Sequence, residues 1–400
     1  MSDLPFIPQM EPWFDRAESE AICDYMRNGG WVTEFTKTRQ FEQSIADYTG
    51  AKYCSVVSNG TVSLTLALLA HGVGPGDEVI VPDYTMMASA SAAILAGAEV
   101  VFADVEPQTL CLDLEAVKRA IGPRTRAIIL VTINGRSPTR LSELVSLCAE
   151  KGLVLIEDAA QSLGSRSEGM HLGRFGAMGS FSFSAPKVIT TGQGGALISD
   201  DEPAMSRIRK LRDFGRVANG QDHYLTVGWN FKFTDIQAVI GLEQMKKLDS
   251  RVERKKEIYR LYVEGLTGIP GIELIPTNTD DTSPWFVDVL VSGGHRPGLI
   301  SHLERQVIGS RPFYPALHAE PAFNRRGESY PVAEKIAEEG LWLPSSAKLT
   351  DEDIHRVCGA IRSFFLPGVQ NRGTMGGRMT AGFGIASRSG PQFARLTSGL

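Results

Sequence analysis

Seven short apolar runs between residues 53 and 199 leave few folds open to this chain. They are Tyr53–Val57, Glu78–Val81, Val100–Ala103, Ala127–Val131, Val154–Glu157, Gly179–Phe183 and Ala196–Ser199. Several are continuous and rich in β-branched residues, the pattern of strands covered on both faces. Helix-like segments separate several of them. Asp113 can cap a helix over Leu114–Ile121 that stops at Gly122-Pro123, and Leu141–Lys151 ends in the same way at Gly152. This alternation predicts an α/β fold with a mainly parallel central sheet and helices on both faces.

Past residue 200 the pattern changes. A helical stretch from Asp235 to about Leu266 is expected to carry the chain out of the sheet domain. A Pro/Gly/Thr-rich segment, Gly268–Pro284, follows. A strand at Trp285–Val291, a helix near Gly298–Gln306 and a last helix at Asp351–Phe365 then suit a smaller α+β unit. The expected organisation is a large α/β domain with its N-terminal segment over 1–245, a small C-terminal α+β domain over 246–365, and a tail over 366–400. That tail is rich in Gly, Ser and Thr, carries Arg372, Arg378, Arg388 and Arg395, and has no acid, so it reads as a flexible extension. The basic run Lys246, Lys247, Arg251, Arg254, Lys255 and Lys256 is interleaved with Glu243, Asp249, Glu253 and Glu257, which reads as a solvated helix face.

Composition narrows the function classes. The 400 residues have a formal charge of -5, which gives no reason to expect nucleic acid or an anionic membrane as partner. The 5 cysteines are scattered and form no Cys-x-x-Cys pair, and the 7 histidines show no metal-ligand spacing. A reducing compartment and the absence of a metal site are expected. Met1–Pro5 lacks a basic region followed by an apolar core, and no apolar run approaches the ~20 residues that span a bilayer. The expectation is a cytoplasmic protein.

Chemistry concentrates around Lys187. It follows Gly179-Ser180-Phe181-Ser182-Phe183-Ser184-Ala185-Pro186 and precedes Thr190-Thr191-Gly192-Gln193-Gly194-Gly195. It is thus a lysine in a Ser/Gly-rich loop, with no helical face to occupy. Asp158 ends the apolar run Val154–Glu157, and at the carboxyl end of a parallel strand a side chain faces the crevice where ligands bind. Ser58-Asn59-Gly60-Thr61 lies between a strand and an apolar helix over Val62–His71, with Thr61 as a possible cap. A helix N-terminus there suits a phosphate monoester, and Gly60 allows close approach. Ser182 could donate to the same phosphate while Phe181 and Phe183 pack on the opposite side. Gln161 could bond a phenolic oxygen or face solvent. A phosphate cradle, an acid and a lysine in that order suit pyridoxal 5'-phosphate. The lysine forms a Schiff base with its aldehyde, and the acid keeps its pyridine nitrogen protonated.

On these pieces the chain resembles the nucleotide-sugar aminotransferases, the DegT/StrS-like branch of the fold-type I pyridoxal phosphate enzymes, and within it the perosamine-synthase-like members. The resemblance covers most of residues 5–365. Further matching segments are Gly74-Pro75-Gly76-Asp77-Glu78-Val79-Ile80-Val81-Pro82, Glu157-Asp158-Ala159-Ala160-Gln161, Gly228-Trp229-Asn230-Phe231-Lys232-Phe233-Thr234-Asp235 and Ser310-Arg311-Pro312. The resemblance implies Lys187 as the Schiff-base lysine, Asp158 at the pyridine nitrogen and Gln161 near the ring oxygen. Gly60, Thr61 and Ser182 would hold the phosphate. Asn230 would reach the phosphate of the neighbouring subunit's cofactor, so the active unit would be a homodimer.

Three positions depart from the family pattern. Met86, in Pro82-Asp83-Tyr84-Thr85-Met86, stands where an aromatic ring commonly stacks on the cofactor. A thioether can pack on that face, or Tyr84 can change role. Thr132-Ile133-Asn134-Gly135 replaces the usual His-Leu-Tyr-Gly, and Lys232 stands where Arg is frequent. The implied reaction moves an amino group from L-glutamate to a keto-sugar linked to a nucleotide diphosphate, a 4-keto-6-deoxyhexose, in amino-sugar or surface-polysaccharide biosynthesis. Two alternatives are a cofactor-dependent sugar dehydratase, in whose relatives histidine replaces the lysine, and a non-catalytic sensor or scaffold.

Overall fold

A computed structural model describes residues 4–218, 221–325 and 327–367, and the expectation for the tail lies outside the described residues from Gly368 onward. Thirteen strands and twelve α-helices follow one another along this stretch. The strands are β1 (Tyr53–Val57), β2 (Glu78–Pro82), β3 (Glu99–Ala103), β4 (Thr125–Val131), β5 (Val154–Asp158), β6 (Arg166–Ser167), β7 (Met170–His171), β8 (Met178–Ser182), β9 (Gly195–Ser199), β10 (Ile272–Leu274), β11 (Val287–Val291), β12 (Arg311–Pro312) and β13 (Gly340–Leu343). The helices are α1 (Arg16–Arg27), α2 (Thr36–Thr49), α3 (Gly60–Ala70), α4 (Ala88–Leu95), α5 (Leu114–Ala120), α6 (Leu141–Lys151), α7 (Glu202–Leu211), α8 (Asp235–Met245), α9 (Leu248–Leu266), α10 (Arg296–Arg305), α11 (Pro331–Glu339) and α12 (Asp351–Phe365).

The central sheet has the order β1-β9-β8-β5-β4-β2-β3. Its ladders are parallel except where β9 pairs with β1 and β8, so six of the seven strands run the same way. Successive residues of β4 show why both faces are apolar. Ala127, Ile129 and Val131 enter the cluster beneath α3 and α4, while Ile128 and Leu130 enter the one beneath α5 and α6. Each fully buried Ile or Leu there contributes about 1.5–3 kcal/mol. At the other end of the sheet, α2 and α8 cover β1, β8 and β9 through Phe41, Phe181, Phe183 and Ala238. Asp113 caps α5 by accepting from the Ala116 N–H at 2.7 Å, and α6 stops at Gly152 in the left-handed conformation, both as expected.

The second sheet is antiparallel, in the order β10-β11-β13-β12. One face packs on α9, α10 and α12 through Ile258, Leu299, Leu303 and Val357. The other contributes Phe286, Leu290 and Trp342 to the cluster beneath α3 and α4, so the two sheets share a core within a unit that ends at Pro367. No helix among the described residues is long and apolar enough to cross a membrane.

Two expectations need correction here. The stretch from Asp235 to Leu266 is two helices, broken at Lys246-Lys247. No Gly or Pro marks the break, and distant contacts accompany it. Gln244 Nε2 and Lys247 Nζ each donate to Glu18 on α1 at 2.6 Å. Nor is the basic run wholly solvated. Arg251 and Lys255 are 3% and 2% exposed, on the α9 face that also buries Val252, Ile258, Tyr259 and Tyr262.

Candidate active site

The parallel strands end at one edge of the central sheet, and a cleft of about 290 Å³ opens there. Its floor comes from five of those ends, with Val131 closing β4. Asn59, Gly60 and Thr61 follow β1, Thr85 and Met86 follow β2, Asp158 closes β5 and Ser182 closes β8.

The cap of α3 is Asn59 rather than Thr61. Its Oδ1 accepts from the Val62 N–H at 3.0 Å, and the helix begins at Gly60. The Ser63 N–H goes to the Asn59 carbonyl. The N–H groups of Gly60 and Thr61 therefore have no acceptor among the described residues. Two unused donors at the positive end of a helix are a site for an anion. A Cβ on Gly60 would lie 3.1 Å from the Ser182 Cβ, so glycine is what lets that end approach β8.

Asp158 is 6% exposed, and burial pushes its carboxyl above the usual range. The Ser89 hydroxyl, from α4, opposes this by donating to Oδ2 at 2.7 Å. Among the described residues the other oxygen accepts only a long 3.3 Å bond from the Ala160 N–H. A buried carboxylate so thinly bonded suits a cationic donor such as a protonated pyridine nitrogen.

Lys187 sits in the β8–β9 loop, which the Phe183 N–H closes at 2.8 Å onto the Gly194 carbonyl. Burial lowers its amine to about 8, while the charge of Asp158 raises it. No hydrogen bond forms at Nζ among the described residues; the amine lies 4.0 Å from the ring centre of Trp285. Gln161 is 9% exposed and turned inward, its Oε1 accepting from the Asn134 N–H at 2.7 Å.

Every floor residue singled out in the sequence lines the cleft: Gly60, Thr61, Met86, Asp158, Gln161, Ser182 and Lys187. Tyr84 does not share the role of Met86, because it is fully buried against Phe313 and Tyr314. Asn230 lies outside this cleft and is exposed. Lys232 is held by Asp213 at 2.8 Å. Ser89 carries no signal in the sequence, and neither do Trp285, Arg311 and Tyr314 as site residues, though these three wall the cleft from the second sheet and its neighbouring loops. Arg311 makes no ion pair among the described residues and lies over the rings of Tyr314 and Trp342.

The floor thus offers donors for a phosphate, an acid for a ring nitrogen and an amine for an aldehyde. Pyridoxal 5'-phosphate carries those three groups, and the residues fit it. Known proteins give the same answer. The DegT/DnrJ/EryC1/StrS aminotransferase family model matches residues 14–362. The GDP-perosamine synthase of Vibrio cholerae is 34% identical over 365 residues, which are 90% of this chain and 99% of that one. The crystal structure of the aminotransferase TlmJ from Streptoalloteichus hindustanus is 32% identical, with a TM-score of 0.85 over 89% of this chain and 98% of its own. Spr1654 from Streptococcus pneumoniae, 28% identical, has a PMP form with a TM-score of 0.84 over 90% of this chain and 97% of its own, and it also has a PLP form. A match of this extent settles the assignment: the chain belongs to the DegT/DnrJ/EryC1/StrS aminotransferase family, and pyridoxal 5'-phosphate is its cofactor.

Proposed function

We propose that this sugar aminotransferase moves the amino group of L-glutamate onto a nucleotide-linked keto-sugar, a 4-keto-6-deoxyhexose, in the cytoplasm. The observation that carries the reading is the half-buried Lys187, whose amine has no acceptor among the described residues, on the same cleft floor as the buried Asp158 and the N–H groups of α3 left unused among those residues. Similarity to GDP-perosamine synthases supports an amino-sugar product.

Bound there, the cofactor would supply an aldehyde that accepts the donor nitrogen and a ring that draws electrons from the adjacent carbon. The Gly60 and Thr61 N–H groups and the Ser182 hydroxyl would hold its phosphate, and Asp158 its pyridine nitrogen. Gln161 has its oxygen committed to Asn134, which leaves its NH2 to donate to the ring oxygen. Met86 would pack on the ring by its thioether. Lys187 Nζ, brought near neutrality by burial, would take a proton from the donor Cα and, in the second half, give one to the sugar carbon that receives nitrogen. Arg311 would meet the carboxylate of the donor.

A homodimer belongs to the same reading. Asn230 ends a segment whose Phe214, Val217, Leu225, Val227 and Trp229 are exposed, Val227 at 78%. Apolar surface on that scale suits cover by a second copy, with Asn230 reaching the copy's phosphate. The experiment is mass spectrometry of products from a panel of nucleotide-linked keto-sugars incubated with the enzyme and L-glutamate. An amino-sugar formed with one equivalent of 2-oxoglutarate is the expected outcome. A deoxy-sugar without 2-oxoglutarate would replace transfer by dehydration.

A further inference from the structure

We infer that the indole face of Trp285 seats the Lys187 ammonium whenever that amine is not covalently engaged, which makes Trp285 a positioning residue for transfer. The inference rests on the proposed role of Lys187. The amine lies 4.0 Å from the centre of the ring and donates to no oxygen among the described residues. The ring is fixed on several sides. Trp285 is 4% exposed, and its Nε1 donates at 2.7 Å to the carbonyl of Pro186, the residue before Lys187 itself. Phe286 stacks on it at 3.8 Å and 20°. Its backbone carbonyl accepts from Lys255 on α9. The indole and the lysine loop are therefore tied to each other, so the seat keeps its place relative to the amine.

The charged and titratable groups around this seat are few. Asp158 faces it from β5, Arg311 from β12 and Tyr314 from the segment after β12, while Lys255 stands behind the indole. Of these, only Asp158 acts on the lysine by charge. A buried ammonium with no partner is expelled or neutralised. A carboxylate in direct contact would hold the proton too firmly for an amine that gives and takes one in each turnover. The electron-rich face of an indole attracts the ammonium without offering a lone pair to the proton. The amine can then pass between charged and neutral forms without breaking a hydrogen bond.

The test uses the full-length holoenzyme, converted with L-glutamate to the form whose cofactor carries the amino group, so that Lys187 is free. Competitive acetylation of Lys187 across a pH series, read by mass spectrometry, gives its titration midpoint. Trp285→Phe keeps a weaker aromatic face and loses the bond to Pro186, and the midpoint should fall by clearly less than in Trp285→Leu. Trp285→Leu keeps the site dry without a π face. The midpoint should fall by about 0.5–1 pH unit, and the acidic limb of kcat should move down with it. Replacing tryptophan throughout by monofluorinated and then trifluorinated tryptophan drains the ring face without changing the fold, and the midpoint should fall in steps. That series decides the matter alone if Trp285→Leu does not fold. A midpoint unmoved by fluorination or by Trp285→Leu, or one that falls as far in Trp285→Phe as in Trp285→Leu, would overturn the inference. If Lys187 is acetylated equally whether the cofactor carries its aldehyde or the amino group, the role of Lys187 itself is wrong. Protection in the aldehyde form with an unmoved midpoint sinks only the seat.

Discussion

Lys187 and Lys255 both touch Trp285, one over its ring and the other at its carbonyl, and they stand in opposite circumstances. Burial lowers both amines, Lys187 to about 8 and Lys255 to about 7. Lys255 donates to the carbonyls of Trp285 and Ser345 and is 2% exposed. Lys187 has no acceptor among the described residues and faces a cleft. A lowered pKa therefore does not tell the two lysines apart; an uncommitted nitrogen on a cleft does, and the proposed role of Lys187 rests on it. Lys255 joins α9 to the second sheet and, through Trp285, supports the wall against which Lys187 lies.

The largest effect expected from this contrast is on Lys187→Ala. Losing both the covalent anchor and the proton carrier should cut transamination by at least roughly 10³-fold, measured as 2-oxoglutarate release. Lys255→Met should keep turnover within about tenfold, because it removes no group that meets substrate. A Lys255→Met enzyme as dead as Lys187→Ala would break the comparison. Next comes Asp158→Asn, which leaves the cleft's shape but removes the charge on which a pyridinium depends. A loss of about 10²–10³-fold in kcat with the cofactor still bound is expected, and wild-type activity in that variant would contradict the role of Asp158.

Stability sharpens the other half of the contrast. Lys255→Met strips the donor from two buried carbonyls, a cost of about 1–3 kcal/mol for each. The pH dependence has a definite sign. With a folded pKa near 7, against about 10.4 in an unfolded chain, the unfolded state binds more protons between those values. Wild-type stability should therefore rise with pH over that window, and Lys255→Met should flatten the rise. Urea unfolding at about pH 7 and about pH 9.5 reads it, and parallel curves for the two proteins would count against a depressed Lys255. The smallest effect belongs to Ser89→Ala. Losing its bond to the Asp158 carboxylate should lower kcat by about tenfold, with little change in unfolding midpoint.

The two sheets differ in how much of them the chain reveals before it folds. All seven central strands lie within two residues of their apolar runs, because a strand buried on both faces needs an unbroken apolar segment. Lys187, Asp158 and Gly60 follow from that frame, since ligands gather at the ends of parallel strands. In the second sheet, β12 has two residues and β10 three, too short for a period to register. Trp285, Arg311 and Tyr314 reach the cleft only through long-range packing of that region. Ser89 lies in the Ala/Ser-rich α4, where nothing local sets it apart from Ser91. Lys255 was legible in principle. It lies three residues after Val252 and three before Ile258, on the apolar stripe of α9, a position that outweighs the acids beside it in sequence.

The central claim is that one particular amine bonds the cofactor. Borohydride reduction of the holoenzyme, digestion and mass spectrometry test it most directly. The account predicts a pyridoxyl group on the peptide bearing Lys187 and none on the peptide bearing Lys255; a tag on Lys255, on another lysine or on no peptide at all would contradict it.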